Sequence, residues 1–319
     1  MTNASPSRAL PQTARPARSR GAGATGLVVA VLSAVGVWLC WRLFVDTWAG
    51  QQVEWAALQG AQNGQGQLWR VAERVLDVVS VGAIAAVLIA AVLIALVRRR
   101  WSLAVQAAVL MIGANVTTRV TKLVLLDRPD LGVEGVWGNT LPSGHTTAAA
   151  SISAVLLLVV PRRIRPWAAV VGAGYTAATG VSTLVGQWHR PSDVIAAVLV
   201  VTGWTAISCA VVALMPSAHD VAAPPPGPQE RRWSRRVTLG LVLIGVGSGA
   251  VALVALQATW MHRVALDSQA EMLTAYLGGA AGVVAASCLA FALLLALTRA
   301  STEPGRQAAA PAGALDETS

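Results

Sequence analysis

This chain of 319 residues has four histidines, at 145, 189, 219 and 262, and a single lysine, Lys122. His145 stands in Leu141-Pro142-Ser143-Gly144-His145-Thr146-Thr147, between two apolar segments. His189 stands in Gln187-Trp188-His189-Arg190-Pro191-Ser192-Asp193, four residues before a carboxylate. Pro191 suits the first turn of a helix. An imidazole held by a carboxylate at one ring nitrogen keeps the other nitrogen as a nucleophile. The plainer use of Asp193 is as a dipole partner in that first turn. Ser143 offers a hydroxyl, and Gly144 an unblocked amide, to an anion at the start of a following helix. The plainer use of that tetrapeptide is a Pro-Gly turn with a capping cluster. Two histidines and an aspartate could also hold a metal, but no tight ligand cluster accompanies them, and neither metal nor cofactor is expected.

The elements that must position these groups are apolar. The chain is 55% hydrophobic and 12% charged, against about 25% charged for a soluble domain. Apolar runs of about 20 residues recur from end to end, as spanning helices require. The net charge of +9 gathers at the ends of alternate runs, which reads as topology and excludes a nucleic-acid surface. Cys40, Cys209 and Cys288 lie in apolar spans without pairing or ligand spacing and read as buried thiols.

Residues 1–25 read as a disordered basic tail. Spans are expected at about 26–45, 75–97, 102–126, 146–161, 167–187 and 192–215, with a polar Gln/Gly-rich loop from the first span to Arg74. The first span could serve as a signal peptide, but its leading tail is long and no small-residue cleavage site follows. A basic Pro-rich linker, 216–236, leads to two further spans within 237–298 and a polar tail, 299–319. Arginines at 8, 15, 18, 20, 98–100, 162, 163, 165, 231, 232, 235, 236, 299 and 306 fall on one side. The loops on the other side carry 70, 74, 128, 190 and 263. The positive-inside rule puts both termini in the cytoplasm and the loops of Arg128, His145 and His189 on the outer face of the cell (plasma) membrane.

Polar residues inside the spans follow helical spacing. Asn115, Thr118, Arg119 and Lys122 share one helix face, and ionisable groups within a span usually face a polar interior. Arg119 and Lys122 could instead snorkel to the interface. A second stripe comprises Tyr175, Thr179, Ser182, Thr183 and Gly186. Gly245-x-x-x-Gly249 and Gly278-x-x-x-Gly282 permit close helix contact, within the monomer or across a homodimer.

Three blocks in order resemble the type-2 phosphatidate phosphatase superfamily, which includes vanadium haloperoxidases. They are Lys122 to Arg128-Pro129, Pro142-Ser143-Gly144-His145, and Ser182 through His189 to Asp193. The resemblance covers about 75–215. It implies an all-α polytopic membrane helix bundle, with a six-helix phosphatase-like core at 26–215 extended by two C-terminal transmembrane helices, about eight spans in all. It also implies a metal-independent lipid phosphatase acting through a phosphohistidine. His189 is the expected nucleophile, Asp193 its orienting carboxylate and His145 the general acid and base. Lys122, Arg128, Ser143 and Gly144 are the expected phosphate-binding groups. The partners are a lipid phosphate or diphosphate and membrane lipids, with no nucleic acid.

Two departures stand out. Five residues separate Lys122 from Arg128, one fewer than the family's usual spacing, a helical rotation of roughly 100°. Pro129 disfavours helical geometry at Arg128, which loosens that constraint. The third block reads Ser182-Thr183 where the family has Ser-Arg. Loss of one preorganised donor typically lowers rate by about 10²–10³, against an acceleration of up to about 10²¹ for phosphate-ester hydrolysis. Arg190 or Arg119 are candidate substitutes. The alternative is a catalytically weakened member that binds lipid phosphate without turnover. A transporter is the third reading, disfavoured because the charges gather at one face rather than at mid-membrane.

Overall fold

A computed structural model of the chain describes residues 20–77, 101–133, 138–214 and 227–300, together with 86, 89, 90 and 93. Every regular element among them is a helix: α1 (Arg20–Cys40), α2 (Trp48–Asp77), α3 (Trp101–Val120), α4 (Gly144–Val159), α5 (Arg165–Val185), α6 (Pro191–Leu214), α7 (Pro228–Met261) and α8 (Gln269–Ala300). Single π-helical turns, Trp41–Val45 and Thr121–Leu125, extend α1 and α3. Among the described residues, six helices are long and apolar enough to cross a membrane: α1, α3, α5, α6, α7 and α8. The shorter apolar α4 runs among them. The chain is therefore an all-α, polytopic integral membrane protein. The expected span at 75–97 falls almost entirely outside the described residues, as do most of both tails and residues 215–226 of the linker.

Local chemistry sets several boundaries. Ser143 caps α4, and Pro161 holds Val160 extended at the other end (φ −65°, ψ 153°), as expected before a proline. Pro166 occupies the first turn of α5, and Pro228 that of α7. The basic run Arg231–Arg236, expected in a linker, forms the early turns of α7.

One expectation is corrected. The polar stretch before Arg74, read as a loop, is the 30-residue helix α2. Its buried Val53, Ala56, Ala57 and Ala61 follow i, i+3, i+4, i+8 spacing, so one small-residue face packs while the other stays polar. α2 is not among the helices apolar enough to span.

The two C-terminal helices are not an appendage. α8 packs against α2, α5, α6 and α7. Its Cys288, Phe291, Leu294 and Leu295 belong to the same buried cluster as Leu110, Ala150 and Leu157. Both glycine spacings are used within the chain: Gly245 lies against Leu289, and Gly278 against Ala255. Lipid tails are as apolar as leucine, so such contacts hold the bundle by close packing. Arg165, counted above for topology, is buried and donates to the carbonyls of Leu158 and Thr298, closing the ends of α4 and α8.

Gly279 of α8 lies directly beneath Pro191, the first residue of α6. A Cβ there would stand 2.5 Å from Pro191 Cγ. Gly279→Leu is expected to destabilise the protein by about 1–3 kcal/mol through overpacking. Gly247→Leu, where a Cβ meets nothing within 4 Å, is expected to leave the melting temperature in detergent unchanged.

Candidate active site

The third block is a turn built on one carbonyl. At the end of α5 the Thr183 carbonyl accepts from Trp188 N at 3.0 Å and from His189 N at 3.3 Å. Gln187 reaches across with φ of +57°, a left-handed conformation uncommon for a residue with a side chain. Its Nε2 donates to the Leu58 carbonyl of α2 at 2.8 Å. The turn delivers His189 and Arg190, both buried, to the start of α6.

Asp193 is 1% exposed and its Oδ2 is fully engaged. It accepts from the Thr140 hydroxyl at 2.7 Å and from Arg190 N at 3.0 Å, and stands 3.1 Å from His189 Nδ1. The carboxylate oxygen accepts at that ring nitrogen, so Nδ1 carries a hydrogen and Nε2 is the nitrogen that Asp193 does not engage. The Asp193 carbonyl in turn accepts from Ser143 N at 2.9 Å. The second and third blocks are thus joined by a backbone bond.

The second block is a capped helix start. Ser143 Oγ accepts from Thr146 N at 3.3 Å, and its carbonyl accepts from Thr147 N at 3.0 Å. Ser143 is fully buried and serves first as the N-cap; its O–H hydrogen is not consumed by that role. The first-turn amides of Gly144 and His145 have no intrahelical acceptor, and nothing lies within 4 Å of a Cβ built at Gly144. α4 is tied to α3 through the Thr147 and Thr118 hydroxyls, 2.9 Å apart.

His145 stands with the third block. Its ring lies 5.4 Å from that of Trp188, centroid to centroid. Burial holds its pKa below the ordinary 6.5, and the neighbouring charges of His189 and Lys122 lower it further. The two imidazoles and the lysine therefore share one electrostatic neighbourhood. Arg128 joins them: its guanidinium is depressed by burial and by Arg190, and supported by Glu54 and Asp193. The shortened first block is accommodated because regular helix ends at Leu125 and Leu126 is extended (φ −126°, ψ 124°). Trp41 Nε1 donates to the Asp127 carbonyl at 2.8 Å, and Gln51 Nε2 to that of Pro129 at 3.0 Å, pinning the segment that carries Arg128.

The candidate substitutes for the missing arginine differ. Arg119 is exposed on α3. Arg190 is buried, and its Nη1 donates to Thr140 Oγ1 at 3.2 Å, on the Asp193 side of the site. Thr183 directs its hydroxyl back to the Gly180 carbonyl at 2.7 Å. Ser182 is buried on α5, and its carbonyl accepts from Gly186 N at 2.9 Å at the helix end. Thr140, Gln51 and Glu54 escaped the sequence reading. Thr140 adjoins the second block without helical or strand spacing to flag it, and the other two fall in the segment read as a loop. Among the described residues no group of three or more His, Cys, Asp or Glu gathers at a metal-binding spacing.

The buried His–Asp pair, the second imidazole and the flanking cations thus stand at one end of the helix bundle, an arrangement with the chemical means to act on a phosphate ester. Residues 103–216, which span α3 to α6, match the family model described as the PAP2 superfamily. The segment carrying the site is therefore similar to the type-2 phosphatidate phosphatase superfamily. No curated protein and no solved structure matches the chain.

Two outcomes follow from the geometry. Thr140→Val removes a hydrogen bond to a buried carboxylate, a contact worth about 1.5–3 kcal/mol, and is expected to lower kcat/KM about 10–100-fold without unfolding the protein. If His145 donates a proton in the reaction, its depressed pKa places the alkaline limb of kcat/KM below the ordinary histidine value. Lys122→Met removes one of the depressing charges and is expected to move that limb to higher pH, in a pH–rate series.

Proposed function

We propose that the protein is a metal-independent lipid phosphatase that hydrolyses a phosphomonoester or diphosphate of a lipid through a phosphohistidine, at the outer membrane face. The observation that carries the reading is the 3.1 Å contact of Asp193 with His189 Nδ1, supported by the packing of the His145 ring against Trp188, the neighbour of His189, at 5.4 Å between centroids.

In this reading His189 Nε2 attacks phosphorus, forming a P–N bond as the P–O bond to the leaving group breaks. Asp193 stabilises the positive charge that develops on the ring. His145 donates a proton to the departing alkoxide or phosphate oxygen. Water then attacks phosphorus, His145 takes its proton, and the P–N bond breaks to release phosphate and restore His189. Lys122, Arg128 and the Gly144 amide hold the phosphoryl oxygens, with the Ser143 hydroxyl beside them. A site at the end of the bundle lets the head group enter while the tail stays in lipid. The arginine distribution supports cytoplasmic termini and an outward-facing site.

The second reading, a binder without turnover, is favoured by Thr183, whose hydroxyl turns into its own helix. Purified protein assayed in chelator against phosphatidate, phosphatidylglycerol phosphate and polyprenyl diphosphate separates the two. Phosphate release that persists in chelator and falls at least about 10⁴-fold in His189→Ala supports the enzyme. Saturable binding of these lipids by wild type with no release supports the binder.

A further inference from the structure

A carboxyl group that the proposed mechanism does not use stands at the rear of the site. Glu54 of α2 is 1% exposed. Its Oε1 accepts from Ser192 N at 3.0 Å, in the first turn of α6, between Pro191 and Asp193. Its Oε2 has no hydrogen-bond partner among the described residues. The acid adjoins an apolar cavity of about 100 Å³ that also touches Pro191, Ser192 and Thr259.

The groups that face Glu54 come from several elements. The charges of Asp193 and Arg190 at the start of α6 act on Glu54, Glu54 in turn acts on Arg128 after α3, and the Cys40 thiol of α1 lines the same cavity. α7 and α8 present only Ala252, Leu256, Thr259, Ala275 and glycines to the cavity. Glu54 and Asp193 are therefore two carboxylates sharing the field of two arginines. When both are ionised, Glu54 opposes the positive potential that a phosphate anion needs. When Glu54 is neutral, Arg128 and Arg190 are offset by Asp193 alone.

We propose that Glu54 is a positioning residue for phosphate binding. It fixes the first turn of α6 through Ser192, and its charge state sets how much of the cation field is left for the phosphoryl oxygens. The inference rests on the phosphate-site reading above, though not on turnover. Burial and the charge of Asp193 raise the Glu54 pKa to about 7, against the opposing pull of Arg190 and Ser192. The acid is thus neutral below that pH and ionised above it, and phosphate affinity weakens as pH rises through it. Linkage is reciprocal, so bound phosphate favours the protonated acid by the same factor.

The test titrates purified full-length protein in detergent with inorganic phosphate, well below and well above pH 7, for wild type and E54Q. The amide keeps an acceptor for Ser192 N and carries no charge. Comparing the two proteins at each pH cancels the titration of phosphate itself. Equal affinities at the acid end, and affinity about fivefold weaker in wild type at the alkaline end, are expected. A wild-type to E54Q ratio that does not change with pH overturns the proposal. If E54Q does not fold, infrared difference spectra of wild type decide: a protonated carboxyl band must appear when phosphate is added above pH 7, and its absence overturns the proposal. Phosphate binding with this pH signature but no release from any lipid phosphate would sink the hydrolase reading and leave this one standing. No phosphate binding at any pH overturns both.

Discussion

Asp193 Oδ2 is the point on which the arrangement depends. A carboxylate at 1% exposure is tolerable only when its lone pairs are taken, because burying an unpaired charge is expensive. Here the partners come from a threonine hydroxyl, a backbone amide and the His189 ring. Each partner belongs to the loops that bear the other site groups, so satisfying the charge also fixes them. The Asp193 carbonyl extends the same logic to Ser143, and so to the start of α4. A phosphoryl-transfer site needs this fixity, since most of its catalysis is positioning and preorganised charge.

The helices outside the family match serve that same point. α2 holds three segments of the site: Gln51 binds the Pro129 carbonyl, Leu58 receives Gln187, and Glu54 receives Ser192 N. α8 supports the opposite side of the turn, where Gly279 lets it approach Pro191. Substitution at position 183 is understandable in this frame. The Thr183 carbonyl still anchors Trp188 and His189, so the backbone role survives while the side chain no longer supplies a cation.

The sequence made the bundle legible, because apolar runs and arginine placement are strong physical signals. The three blocks were equally legible, since imidazoles, a lone lysine and Pro-Gly turns are rare in apolar surroundings. What escaped were the polar partners. α2 was read as a loop from its glutamines and glycines, although Val53, Ala56, Ala57 and Ala61 already marked a helical face. Thr140 belongs to no periodic pattern and acquires its role only when Asp193 is brought beside it. The central place of α8 was hidden for another reason: a helix apolar on all sides does not announce which side meets protein.

In the proposed reaction His189 is the nucleophile that takes up the phosphoryl group and His145 is its proton partner. The most direct measurement is rapid quenching of the purified His145→Ala protein with a labelled aryl phosphate, whose leaving group departs without a proton from His145, followed by mapping of the phosphoryl group. Label accumulating on His189 while hydrolysis stalls is the predicted result. Label on another residue, or full hydrolysis with no covalent intermediate at 189, would contradict it.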